Sequence, residues 1–179
     1  MFLLTIILLS FSCKAQQVSL NIPYSNITNG MHIKDTNNEY NKFLGTWKSN
    51  FNNQTIFIYI EKQLDRSINS VNKNYYSDVL IVRYEIKNSS NQIVRSTKNV
   101  TNDNVNIISR GMDTNNLAVF SYSGGGCNVG WGSIGLQYVD TNHIKWSYYP
   151  NSTLTVNCPN SADTTIYLPE TKDLVFTKE

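Results

Sequence analysis

From Phe43 to the C-terminus, apolar and polar positions alternate in short runs separated by polar turns about every 8–12 residues, which predicts a succession of β-strands. In 82–87, Val82, Tyr84 and Ile86 fall on one face, and Arg83, Glu85 and Lys87 on the other. In 132–139, Ile134, Leu136 and Tyr138 oppose Ser133, Gly135 and Gln137. In 143–148, Ile144, Trp146 and Tyr148 alternate with His143, Lys145 and Ser147. One-sided alternation of this kind predicts antiparallel strands with one wet face. Residues 56–60 (IFIYI) are apolar at every position, which predicts a strand covered on both sides. The full set of predicted strands is 43–49, 54–62, 77–87, 91–98, 104–110, 116–123, 132–139, 143–149, 152–157, 163–168 and 172–178. Asn88–Asn91, Asp140–Asn142 and Pro150–Ser152 carry turn chemistry. Residues 63–76 (QLDRSINSVNKNYY) read as a loop or a single helical turn. Short turns between consecutive strands favour a meander. About ten antiparallel strands avoid exposed edges by closing on themselves. The predicted fold is therefore all-β, one antiparallel meander closing into a barrel over 41–179, with a β-sandwich as the alternative.

The N-terminus is different. Phe2 to Phe11 (FLLTIILLSF) is uncharged and apolar, about ten residues long. That is half of what a bilayer span needs and the length of a signal-peptide core. Ser12-Cys13 follows. One reading is a lipoprotein signal over 1–12, cut before Cys13, whose thiol then carries the lipid. The other is ordinary secretion with cleavage after Ala15. Residues 13–40 are rich in Asn, Ser and Thr and read as a polar arm or tether, with at most one short strand near Val18–Ile22.

Composition narrows the class. Charged residues are 16% of the 179, and about one residue in seven is asparagine. Alanine, the best helix former, occurs only at Ala15, Ala118 and Ala162. Val, Ile, Thr and the 11 Tyr are the types that fit a pleated surface. Such a chain is neither a helical bundle nor, with these aromatics, a disordered segment. A net charge of +2 and a pI near 8.4 argue against nucleic acid as a partner. Of three cysteines, Cys127 and Cys158 remain if Cys13 is lipidated. In an oxidising compartment they are expected to pair, closing a loop of about 32 residues. With His32 and His143 the only histidines, no metal site is expected.

Asn41-Lys42-Phe43-Leu44-Gly45-Thr46-Trp47-Lys48 resembles the first-strand G-x-W motif of lipocalins and the F-x-G-T-W-K opening of fatty-acid-binding proteins. The resemblance implies that Trp47 packs across the closed base of a barrel. It also implies that Gly45 permits a sharp bend, and that a basic residue of the last strand caps the Trp47 ring, Lys172 and Lys178 being the ones at hand. Together with Ser12-Cys13-Lys14-Ala15-Gln16, the segment resembles more closely the envelope lipoproteins of Bacteroidetes type known as domain of unknown function 6705. That resemblance implies an envelope location and no assigned activity. Lys14-Ala15-Gln16-Gln17 lacks acidic residues after the cysteine, which favours an outer-membrane anchor facing the periplasm over surface export.

No strong catalytic constellation is present. Ser123-Gly124-Gly125-Gly126-Cys127 fits neither a nucleophile elbow nor a phosphate loop. A Cys127 nucleophile with His143 as base and Asp140 or Asn142 as orienter is the sharpest enzymatic reading. It competes with a disulfide, a tight glycine turn and a solvent-facing histidine. The expectation is a non-catalytic module without cofactor that binds a small, partly apolar ligand, with Trp131, Tyr138, Trp146 and Tyr148 as candidate lining residues. Ordinary core is the competing role for these aromatics, and a structural or interaction protein of the envelope is the competing function.

Overall fold

The computed structural model of the protein describes residues 17–113, 115–151 and 158–179. Cys13, the signal segment and the strand expected at 152–157 lie outside the described residues. The strands are β1 (Gln17–Ser19), β2 (His32–Lys34), β3 (Gly45–Phe51), β4 (Gln54–Asn69), β5 (Asn74–Lys87) and β6 (Ile93–Ser96). They continue with β7 (Ile107–Met112), β8 (Leu117–Tyr122), β9 (Gly132–Asp140), β10 (His143–Pro150) and β11 (Leu174–Lys178).

Around the ring the order is β5-β4-β3-β11-β10-β9-β8-β7, and Ile81 of β5 pairs with Ile108 of β7 to close it. The result is a closed eight-strand antiparallel barrel in meander order, as the alternation predicted. Three short strands supplement it. β6 pairs with the far end of β5, while β1 and β2 run parallel to each other and extend the near end of β5 at Tyr76 and Ser77.

The barrel interior is filled by its own side chains. Trp47, Ile58, Leu80, Ile86, Ile107, Phe120, Leu136, Ile144, Trp146 and Phe176 are all completely buried. Trp47 lies in the buried core. Its Nε1 donates to the Phe43 carbonyl (2.8 Å), and Lys178 Nζ of the last strand sits 5.0 Å from the ring centroid. Gly45 has φ +121°, and a Cβ there would lie 3.2 Å from Lys178 Cε, so the lysine stem occupies the space a side chain would take.

Four sequence expectations are corrected. First, residues 63–76 form a β-hairpin: β4 continues to Asn69 and β5 begins at Asn74. A β-bulge between Gln63 and Arg66, with Asp65 at φ 49°, reverses which positions face inward. That leaves Leu64 63% exposed and turns Ile68 to the outer face, in a stretch whose mostly polar residues do not mark a strand. Second, residues 163–168 form no strand; Leu168 is buried, but the segment pairs with no neighbour. Third, from Gln17 onward the polar arm is part of the packed structure, with Leu20, Ile27, Met31, Ile33 and Tyr40 in the main core. Fourth, the outer residues of IFIYI, Phe57 and Tyr59, are half-buried beneath lysines rather than under another layer. Lys48 and Lys87 lie over Phe57, and Lys98 over Tyr59.

Candidate functional site

Two electrostatic clamps hold the arm onto the barrel. At the first, Asp78 of β5 accepts the backbone N–H groups of Asp35 and Asp65 (both 3.0 Å), and Lys34 Nζ lies 3.4 Å from it. Lys34 also pairs with Asp65, which accepts from His32 Nδ1 (2.8 Å), and the His32 ring stacks on Tyr76. These hydrogen bonds from Lys34, then His32, hold the Asp65 carboxyl below the usual range. Burial works against the Lys34 charge, but the Asp65 hydrogen bond and the Asp78 and Asp65 charges outweigh it and raise its pKa. At the second clamp, buried Asp35 accepts from the backbone of Glu39 and Tyr40 and from Lys62 Nζ (3.0 Å). Tyr40 is raised chiefly by burial, and its hydroxyl accepts from Ser109 Oγ (3.1 Å).

So clamped, the arm roofs a groove of about 760 Å³ outside the barrel wall. Its floor is the outward face of strands whose other face fills the barrel. On β8, Val119 and Ser121 alternate with buried Ala118, Phe120 and Tyr122; on β7, Ile108 alternates with buried Ile107 and Ser109. Val79 of β5 and Ile68 of β4 continue the floor, in a small cluster with Ile81 and Val105 that is separate from the main core. The arm supplies Leu20, Ile22, Tyr24 and Ile27. Two contacts fix the roof. Gly111 (φ +144°) lets the Leu20 carbonyl lie where a Cβ would meet it at 2.7 Å. Tyr24 Oη bonds Ser70 Oγ (2.7 Å), and Lys73 Nζ bonds the Tyr24 carbonyl (2.7 Å) and covers its ring, tying the arm to the β4–β5 turn.

The groove holds one side chain of each charge, Arg110 and Asp113. Asp113 Oδ1 is occupied by the backbone N–H groups of Asn115 and Leu117 (2.8 and 2.9 Å). Arg110 is exposed; it donates to Ser133 Oγ (3.2 Å), and no carboxylate of the described residues lies within ion-pair distance.

The four aromatics singled out from the sequence do not converge. Trp131 is 48% exposed in a loop. Tyr138 is half-buried, edge-on to Phe43, with Lys42 above it. Trp146 and Tyr148 point into the filled barrel, where Trp146 Nε1 donates to the Pro169 carbonyl (3.1 Å) and the Tyr148 hydroxyl to that of Gly130. The groove was missed because its floor comes from the face taken to be solvated.

Cys127 and Cys158 form a disulfide, with Cα atoms 5.8 Å apart. Cys127 precedes β9, whereas His143 follows it, so the strand's nine residues hold the two apart by about 25–30 Å. His143 Nδ1 instead pairs with Asp140 (2.9 Å) across the exposed β9–β10 turn. Among the described residues, no group of three or more His, Cys, Asp or Glu side chains is placed to hold a metal ion. No described helix is long and apolar enough to cross a membrane.

No curated protein and no solved structure matches this chain. The sequence model of a family of unknown function, DUF6705, matches residues 1–179, and the chain belongs to that family.

Proposed function

We propose that the protein is a non-catalytic binding module of the bacterial cell envelope, attached to the outer membrane by lipid on Cys13 and facing the periplasm, and that it takes up a small, partly apolar ligand in the groove beneath the arm. The observation that carries this reading is the groove itself. Its volume falls within the range of about 300–1,000 Å³ typical of small-molecule sites. Half of its lining residues are Leu, Ile, Val or Tyr, and most of the others are Asn and Ser, with Arg110 and Asp113, a mixed lining suited to a partly apolar ligand. Two of the aromatics expected to line a site, Trp146 and Tyr148, are buried among the side chains that fill the barrel interior. The anchor is supported by the FLLTIILLSF run followed by Ser12-Cys13.

The test of the ligand site uses N-phenyl-1-naphthylamine, an uncharged fluorescent probe, titrated into the purified protein and into Val119→Trp. Val119 is half-buried on the groove floor, and tryptophan there would project an indole into the path of a ligand. Saturable emission enhancement that the variant loses supports the groove. Enhancement unchanged in Val119→Trp would refute it. For the anchor, metabolic labelling with an alkyne fatty acid should mark the wild type and not Cys13→Ala.

A further inference from the structure

Taking the groove as a binding site, we infer that its ligand is a single-chain amphiphile with an anionic head, the chain lying beneath the arm and the head on the Arg110 guanidinium. Charge complementarity selects this occupant. The floor and roof accept an apolar chain along Val79, Ile108, Val119, Leu20 and Ile27. A chain in that position ends beside Arg110 and Ser121, both of which line the groove and are exposed.

Arg110 is uncommitted in a way the other groove charge is not. Its only described side-chain partner is Ser133 Oγ, at 3.2 Å, which takes one of its five N–H donors. Ser133 and Ser121 are register partners on adjacent strands, and Ser121 is also the partner of Ile108 on β7. Arg110 therefore lies beside two hydroxyls on one sheet face. A planar guanidinium fork with hydroxyls next to it suits the two oxygens of a carboxylate. Asp113, the groove's one acid, spends Oδ1 on two backbone N–H groups and keeps only Oδ2 for a cationic head, against four open donors on Arg110. An uncharged head would leave Arg110 unpaired. The arrangement thus favours a long-chain carboxylate over an alcohol or an amine of equal length.

Isothermal titration of the full chain with laurate and dodecylamine below their micellar concentrations, and with dodecanol below its solubility limit, separates the terms. Laurate should bind best. Arg110→Gln, at an exposed position, should lower laurate affinity roughly tenfold, about the worth of one charge-assisted pair, and leave dodecanol unchanged. Val119→Trp should abolish both. Near-ultraviolet circular dichroism checks that each variant keeps the wild-type packing. If laurate and dodecanol bind equally and neither responds to Arg110→Gln, the anionic-head inference is overturned while the groove stands. If neither binds, or if binding survives Val119→Trp, the groove reading falls as well.

Discussion

Removing the Cys127–Cys158 bridge is expected to lower stability without disturbing ligand binding. The bridge spans a sequence separation of 31, enclosing β9 and β10. Closing a loop of about 32 residues is worth roughly 3.7 kcal/mol in the chain-entropy model. Both enclosed strands are held independently, β9 by β8 and β10 by β11, so the barrel should still form once the bridge is gone. At about 2–4 °C per kcal/mol for a chain of this size, the Cys127→Ser/Cys158→Ser double variant should unfold about 7–15 °C below wild type. Thermal unfolding followed by circular dichroism reads this, and reduced wild type should match the double variant. A shift under about 2 °C would show that the bridge constrains little of the unfolded chain. Loss of binding by a variant that still folds would place the bridge in the site, against the geometry described above.

The remaining expectations concern the core, the arm and pH. Trp146→Ala removes a fully buried indole and should cost about 3–5 kcal/mol, whereas Trp131→Ala, 48% exposed, should stay within about 0.5 kcal/mol; urea unfolding compares them. Gly111→Ala puts a Cβ against the Leu20 carbonyl at positive φ, so it should cost about 1–3 kcal/mol and speed deuterium uptake across 17–27. Equal uptake would show that Gly111 does not seat the arm. Asp65 is held below its ordinary 3.8, so its contribution is present above that value and disappears as pH falls through the folded-state pKa. Lys34 is raised above 10.5, so its contribution is present below that value and disappears at higher pH. Asp65→Asn should therefore lower the melting temperature at pH 6 and converge on wild type as pH falls through the folded-state pKa of Asp65. Tyr40, Tyr122 and Tyr148 are raised mainly by burial, which keeps them neutral in the folded state while the unfolded chain ionises near 10. Stability should accordingly drop above pH 10, and the part of the rise in absorbance at 295 nm that belongs to these three tyrosines should appear only as the protein unfolds.

Much of the barrel is legible in the chain because most strands bury one face and wet the other; β5 is the exception, since Arg83 and Glu85, expected on a wet face, are buried as well. Val82-Tyr84-Ile86 and Ile144-Trp146-Tyr148 announce their strands at a period of two, and these residues do face inward. The extension of the β4–β5 hairpin is illegible because residues 61–67 are polar except Leu64; Leu64 and Ile68 keep the even phase of Ile56, Ile58 and Ile60 along the chain, but the bulge at Asp65 turns Ile68 to the outer face. The arm is illegible for another reason. It reaches the core through single residues, Leu20, Ile27, Met31 and Ile33, in a backbone without a regular period. The polar majority around them, Asp35 included, consists partly of clamp residues rather than of a solvated tether.

The groove left one trace. Val79-Leu80-Ile81-Val82 is apolar at four consecutive positions and buried at all four, though only Leu80 and Val82 belong to the main core. A barrel strand buried on its outer face needs a cover, and the cover must come from chain outside the meander. Here it comes from 97–106 over Ile81 and from the arm beside Val79. Where those two covers fail to meet, apolar surface remains open beside an unpaired arginine. Here the run buried on both faces of its strand borders the groove through Val79, whereas Trp146 and Tyr148, which alternate neatly into the core, do not line it.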